Sequence, residues 1–114
     1  MFSLNGLGEY EARLGNITFV CDEADEAAEQ TAAAIAECYR DKLSDIAGFM
    51  LSEGIDEYFG DVTEGDIIKK LGAPIISLDR KTVTYPDNGF DDMLIMEFRF
   101  SGILENFQDL DIDG

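Results

Sequence analysis

This sequence predicts a single α+β domain. The expected form is an antiparallel sheet of about five to six strands, with one long and one or two short helices packed on one face, in the order β-β-α-α-β-β-β. Three observations carry that expectation. Apolar residues alternate with polar ones near the start and near the end of the chain, a helical stripe runs through the middle, and turn chemistry falls between the segments. At 114 residues the chain has the size of one ordinary domain. Its 46% hydrophobic content supplies a core large enough to outweigh the charge.

The first strands form a hairpin. In residues 8–14, Tyr10, Ala12 and Leu14 alternate with charged residues, which gives one apolar face. Gly15-Asn16 is a two-residue turn signal, and Ile17-Thr18-Phe19-Val20-Cys21 is rich in the β-branched and aromatic residues that suit a pleated surface. Gly6-Leu7-Gly8 holds two glycines of a phosphate-binding pattern, but it opens a strand rather than a helix.

A long helix follows. Asp22 and Asp25 are candidate N-caps, and Ala28, Ala32, Ile35, Tyr39, Leu43, Ile46 and Met50 recur at spacings of three and four. Gly54 suits the helix end and Gly48 marks a point where it can bend. Residues 55–60 are expected to form one turn that tucks Tyr58 and Phe59 under the sheet. Thr63 caps a second helix over residues 64–71, which Gly72 stops and Pro74 bars from continuing.

The remainder reads as strands. Residues 75–79 and 82–85 flank Arg80-Lys81 as a hairpin, and Pro86-Asp87-Asn88-Gly89 is a turn. Residues 93–101 make the strongest strand, with Leu94, Met96, Phe98 and Phe100 on one side and Met93, Ile95, Glu97 and Arg99 on the other. Its expected place is the centre of the sheet. Ile103, Leu104 and Phe107 carry the chain on along the sheet.

Composition excludes whole classes of chemistry. With no histidine, the chain has no Ser-His-Asp or Cys-His nucleophile system and no imidazole ligand for zinc. Cys21 and Cys38 lack the Cys-x-x-Cys spacing of metal or redox sites and read as small buried hydrophobes. The 25 acids against 8 bases give a formal charge of −17, which repels nucleic acid and anionic membrane surfaces and attracts basic proteins. The N-terminus lacks the basic start and apolar stretch of a secretory signal, and the expected location is the cytoplasm.

Two acidic groupings are candidate partner-binding surfaces. Glu26, Glu37, Asp41 and Asp45 fall along one flank of the long helix, where like charges four residues apart weaken the helix by a few tenths of a kcal/mol per pair. Asp109, Asp111 and Asp113, followed by Gly114, resemble the opening of a calcium loop. The chain given stops there, without the loop's second half, and the same alternation describes an edge strand with a solvated face. Asp87, Asp91 and Asp92 form a turn rather than a paired-carboxylate site.

The final third resembles an uncharacterised bacterial family, domain of unknown function 2262. The resemblance rests on Gly65-Asp66-Ile67-Ile68-Lys69-Lys70-Leu71, the two-strand hairpin, and Asp87-Asn88-Gly89 ahead of an apolar strand. It extends to the Gly102-Ile103-Leu104 stretch closing on Asp111-Ile112-Asp113-Gly114, and to the Gly8-Glu9-Tyr10 lead-in of the opening hairpin. Where relatives would carry a Trp-Gly-His-like cluster, this chain has Met93-Leu94-Ile95-Met96-Glu97. The resemblance implies the fold and a bacterial origin, and no activity.

The sequence therefore points to a non-catalytic protein-binding module without cofactor or metal. A toxin-immunity-like protein that neutralises a basic partner is its most concrete form. The alternative is a carboxylate-dependent metal-binding protein or enzyme, whose acids would have to converge in one concave site.

Overall fold

A computed structural model of the chain describes residues 2–86, 88–89 and 94–113. Its elements in chain order are β1 (Ser3–Leu4), β2 (Tyr10–Leu14), β3 (Ile17–Cys21), α1 (Glu26–Ser52), α2 (Ile55–Phe59), α3 (Glu64–Lys70), β4 (Ile75–Ser77), β5 (Thr82–Tyr85), β6 (Ile95–Ser101) and β7 (Glu105–Asp113). The α+β class and the single long helix are as the sequence predicts. The sheet differs in two respects. Among the described residues it has seven strands, in the order β1-β2-β3-β4-β5-β6-β7, and it is mixed rather than antiparallel.

The mixing has one cause. β3 and β4 are joined through all three helices, and a helical crossover returns the chain running the same way, so Thr18, Phe19 and Val20 pair in parallel with Ile75, Ile76 and Ser77. Every other neighbouring pair is antiparallel. The element order is accordingly β-β-β-α-α-α-β-β-β-β. The two additional strands are β1, only two residues long, and β7, which is bulged twice against β6. β7 is the edge, so β6 is penultimate, not central.

The helices cover one face. Across it Ala12, Phe19, Ile76, Val83 and Phe98 stand in register, all buried, with Tyr85 and Met96 beside them. Onto this row α1 lays Ala32, Ile35, Tyr39, Ile46 and Met50, the predicted stripe. Leu43 and Ala28 lie at its margins, half-buried. Phe98 is the meeting point of several elements, with ring centroids 5.6 Å from Phe49 of α1 and 5.4 Å from Phe107 of β7.

Local chemistry sets the element ends. Asp25 is the N-cap of α1, its Oδ1 accepting from the Ala28 N–H at 2.8 Å. Asp25→Ala is expected to cost about 1 kcal/mol, because one N–H of the first turn loses its acceptor; a urea midpoint unchanged from wild type would refute that role. At the other end Gly54 takes φ 87°, a left-handed conformation that ends α1 and lets α2 begin at once. Thr63 and Asp66 form a reciprocal capping box on α3. The backbone and side-chain hydrogen bonds from Thr63 hold the Asp66 carboxyl below its ordinary pKa. At Gly48 a Cβ would come 3.2 Å from Glu64 Oε1, the tip of an exposed side chain that can turn aside. The aromatic pair of α2 departs from expectation, since Tyr58 is 66% exposed and only Phe59 packs toward the core. A five-residue helix between two glycines presents one narrow inward face, and Ile55 occupies it.

Candidate functional site

The two acidic groupings lie on opposite sides of the molecule. Glu26, Glu37, Asp41 and Asp45 are all exposed on α1, on the flank turned away from the buried Ile35, Tyr39 and Ile46. Glu26 accepts a hydrogen bond from Gln30, whereas among the described residues Glu37, Asp41 and Asp45 form no ion pair. Asp109, Asp111 and Asp113 stand exposed on β7, with Asp111 opposite Glu97 on the uncovered face of the sheet. Asp109 reaches Arg99 at 3.9 Å, both side chains being mostly exposed, a geometry worth little to stability. The C-terminal aspartates are thus part of an edge strand, the other of the two forms their alternation describes. Asp87, Asp91 and Asp92 lie outside the described residues.

An open cleft of about 590 Å³ lies where the end of β3, the start of α1 and the β4–β5 turn meet. Asp22, Glu23, Asp25, Asp79 and Lys81 line it, with Cys21 at its floor. Two of these acids are engaged with backbone. Asp79 Oδ2 accepts from the Asp22 N–H at 2.6 Å, which ties the β4–β5 turn to the end of β3, and Asp25 caps α1. The Cys21 thiol is pushed up by burial first, then by the charges of Asp79, Asp25, Asp22 and Glu9. It therefore stays protonated near neutrality and is a poor nucleophile. Among the described residues no group of three or more Cys, Asp or Glu side chains is arranged to hold a metal ion.

No family model, curated protein or solved structure matches this chain.

A second groove, about 440 Å³, runs between the β2–β3 turn and the middle of α1, lined by Leu14, Asn16, Tyr39, Arg40 and Leu43. Tyr39 closes its floor and hydrogen-bonds Tyr85 between hydroxyl oxygens at 2.6 Å. Burial drives both phenols up, Tyr39 to about 12 and Tyr85 well above its ordinary value of 10.0, so the pair is neutral across the physiological range. Its role is to satisfy two buried hydroxyls within the core, where an unpaired one would cost about 1–3 kcal/mol.

The sheet also has an uncovered face, which the spacing of residues within each strand does not by itself assemble. Thr18, Val20, Ile75, Ser77, Thr82, Thr84, Glu97 and Arg99 share it, and Ile75 and Ile95 are 36% and 46% exposed there. Strand alternation gives the outward residues of each strand, but only cross-strand register aligns them into one face. Among the described residues no helix is long and apolar enough to cross a membrane.

Proposed function

We propose that this protein is a non-catalytic binding module of the cytoplasm that docks on a basic protein through the outward flank of α1. The supporting observation is the row Glu37, Asp41 and Asp45: exposed, four residues apart, opposite the buried stripe, and without an ion pair among the described residues. Three like charges on one helical face weaken an isolated helix. Here α1 is held by its core face, so the charges can remain and act on a partner. An anionic ridge on a body of formal charge −17 steers a cationic surface toward it and raises the association rate. Neutralising a cationic toxin, as an immunity protein does, is the most concrete form of this reading.

The test has two parts. Capture from lysate at low salt is expected to recover a basic protein. Its association rate should then fall about tenfold or more when salt is raised from roughly 50 to 300 mM, as the Debye length shortens. Combining Glu37→Lys, Asp41→Lys and Asp45→Lys should lower the low-salt association rate about tenfold or more, whereas the same reversals at Asp109, Asp111 and Asp113 should leave it nearly unchanged. Salt-independent association, or loss confined to the C-terminal variant, would refute the assignment to α1.

A further inference from the structure

We propose that the uncovered face of the sheet is the interface of a symmetric homodimer, a second copy packing face to face about a two-fold axis parallel to β4. The inference rests on the charge pattern that strand register places on this face.

Two rows of side chains cross it in register. From β2 to β6 the first reads Arg13, Thr18, Ile75, Thr84, Glu97. The second, one step along the strands, reads Glu11, Val20, Ser77, Thr82, Arg99. One row runs from positive to negative and the other from negative to positive, with small polar and apolar residues between. β4 lies midway, two strands from β2 and two from β6.

A two-fold axis along β4 exchanges the ends of each row. Arg13 then faces Glu97 of the second copy, Glu11 faces its Arg99, and Ile75 meets Ile75 at the axis. Each charge pair occurs twice by symmetry, as an isologous interface requires. Sheets packed face to face are about 10 Å apart, a gap that an arginine and a glutamate reaching toward each other can close. Glu97 is already held on this face by Thr84 Oγ1, which donates to its Oε2 at 3.0 Å.

The other in-plane axis, running across the strands, is disfavoured by β7. It would stack each β7 on its own copy and bring Asp109, Asp111 and Asp113 against like charges. The axis along β4 instead carries β7 over β1, whose described residues are Ser3 and Leu4. Of these, Ser3 pairs with Glu11 and so shares the uncovered face. Six strand intervals and a five-residue strand make a face of roughly 500 Å² in projection and more as accessible surface. That approaches the roughly 800 Å² per partner of a standard interface. With Ile75, Ile95 and Val20 as its main apolar members, the dimer is expected to be reversible rather than obligate.

This inference stands apart from the α1 reading, because the acidic flank lies on the opposite side and stays accessible in the dimer. Sedimentation equilibrium of the full chain tests it. A monomer–dimer equilibrium is expected at roughly 150 mM salt, where the repulsion between two bodies of formal charge −17 is screened and ion pairs closed between the sheets are screened less. Glu97→Arg sets like charges against each other twice and should weaken the dimer about 10- to 100-fold. Adding Arg13→Glu to that variant should restore it toward wild type, whereas adding Arg99→Glu should not. Far-UV circular dichroism, expected to be unchanged because all three side chains are exposed in the single chain, confirms that each variant is folded. A chain that stays monomeric at roughly 150 mM salt up to about millimolar concentration overturns the proposal. So does a dimer indifferent to Glu97→Arg, or one rescued by Arg99→Glu in place of Arg13→Glu.

Discussion

Phe98→Ala is expected to lower unfolding stability by about 3–5 kcal/mol, a large share of the roughly 5–15 kcal/mol available to a domain of this size. Phe98 is fully buried, on the strand that joins the inner sheet to its edge. Its ring lies 5.6 Å from Phe49, 5.4 Å edge-on from Phe107 and 6.3 Å from Tyr85. Truncation therefore opens a cavity bounded by α1, β5 and β7 at once. None of the three can collapse into it without breaking its own register. Tyrosine fluorescence and circular dichroism in urea, on a chain that lacks tryptophan, will report the loss. Phe98→Leu should recover about half of it, since most of the volume returns. A loss below about 1 kcal/mol for the alanine variant would mean that the edge strand is not anchored through this ring.

Alkaline pH is expected to produce the second large effect. Tyr39 and Tyr85 hold their protons in the folded chain to higher pH than they would when unfolded, because burial disfavours the phenolate. A folded pKa raised above the unfolded value gives stability that is complete below the unfolded pKa, near 10.0, and is lost as pH climbs toward the folded one. For Tyr39, raised to about 12, the loss over that interval is about 3 kcal/mol. Tyr85, shifted in the same direction, adds to it.

Urea midpoints measured from about pH 8 to about pH 12 should fall steeply in the upper half of that range. Tyr85→Phe is expected to cost about 1–2 kcal/mol at neutral pH, by leaving the Tyr39 hydroxyl without its buried partner. Combined with Tyr39→Phe it should flatten the alkaline slope. An unchanged slope in the double variant would show that other groups govern alkaline unfolding.

Much of the fold was legible in the residues. The α1 stripe from Ala32 to Met50, the Asp25 and Thr63 caps and the Gly15-Asn16 turn each rest on local chemistry that acts over one or two turns of chain. The alternation of Met96, Phe98 and Phe100 is equally local. β7 was harder to see. Its inward residues are Phe107, Leu110 and Ile112, and the three-residue step between the first two breaks the period of a regular strand. That step marks a bulge, with Asp109 at φ 57° and Asn106 at φ 50°, conformations these two residue types accept more readily than most. The parallel pairing of β3 with β4 followed in principle from strand, helix and strand in succession. The identity of the neighbour depended on where three helices returned the chain.

The candidate surfaces divide along the same line. Sequence alone determined the charge, the absence of imidazole and the acidic flank of α1, because a helix repeats every few residues and its faces can be read from spacing. Only tertiary structure decided that the C-terminal aspartates lie across the molecule from that flank, and that Arg13 and Glu97 end one row while Glu11 and Arg99 end the next. Such rows join residues more than eighty positions apart, and their alignment is set by cross-strand hydrogen bonding and core packing, which no local pattern encodes.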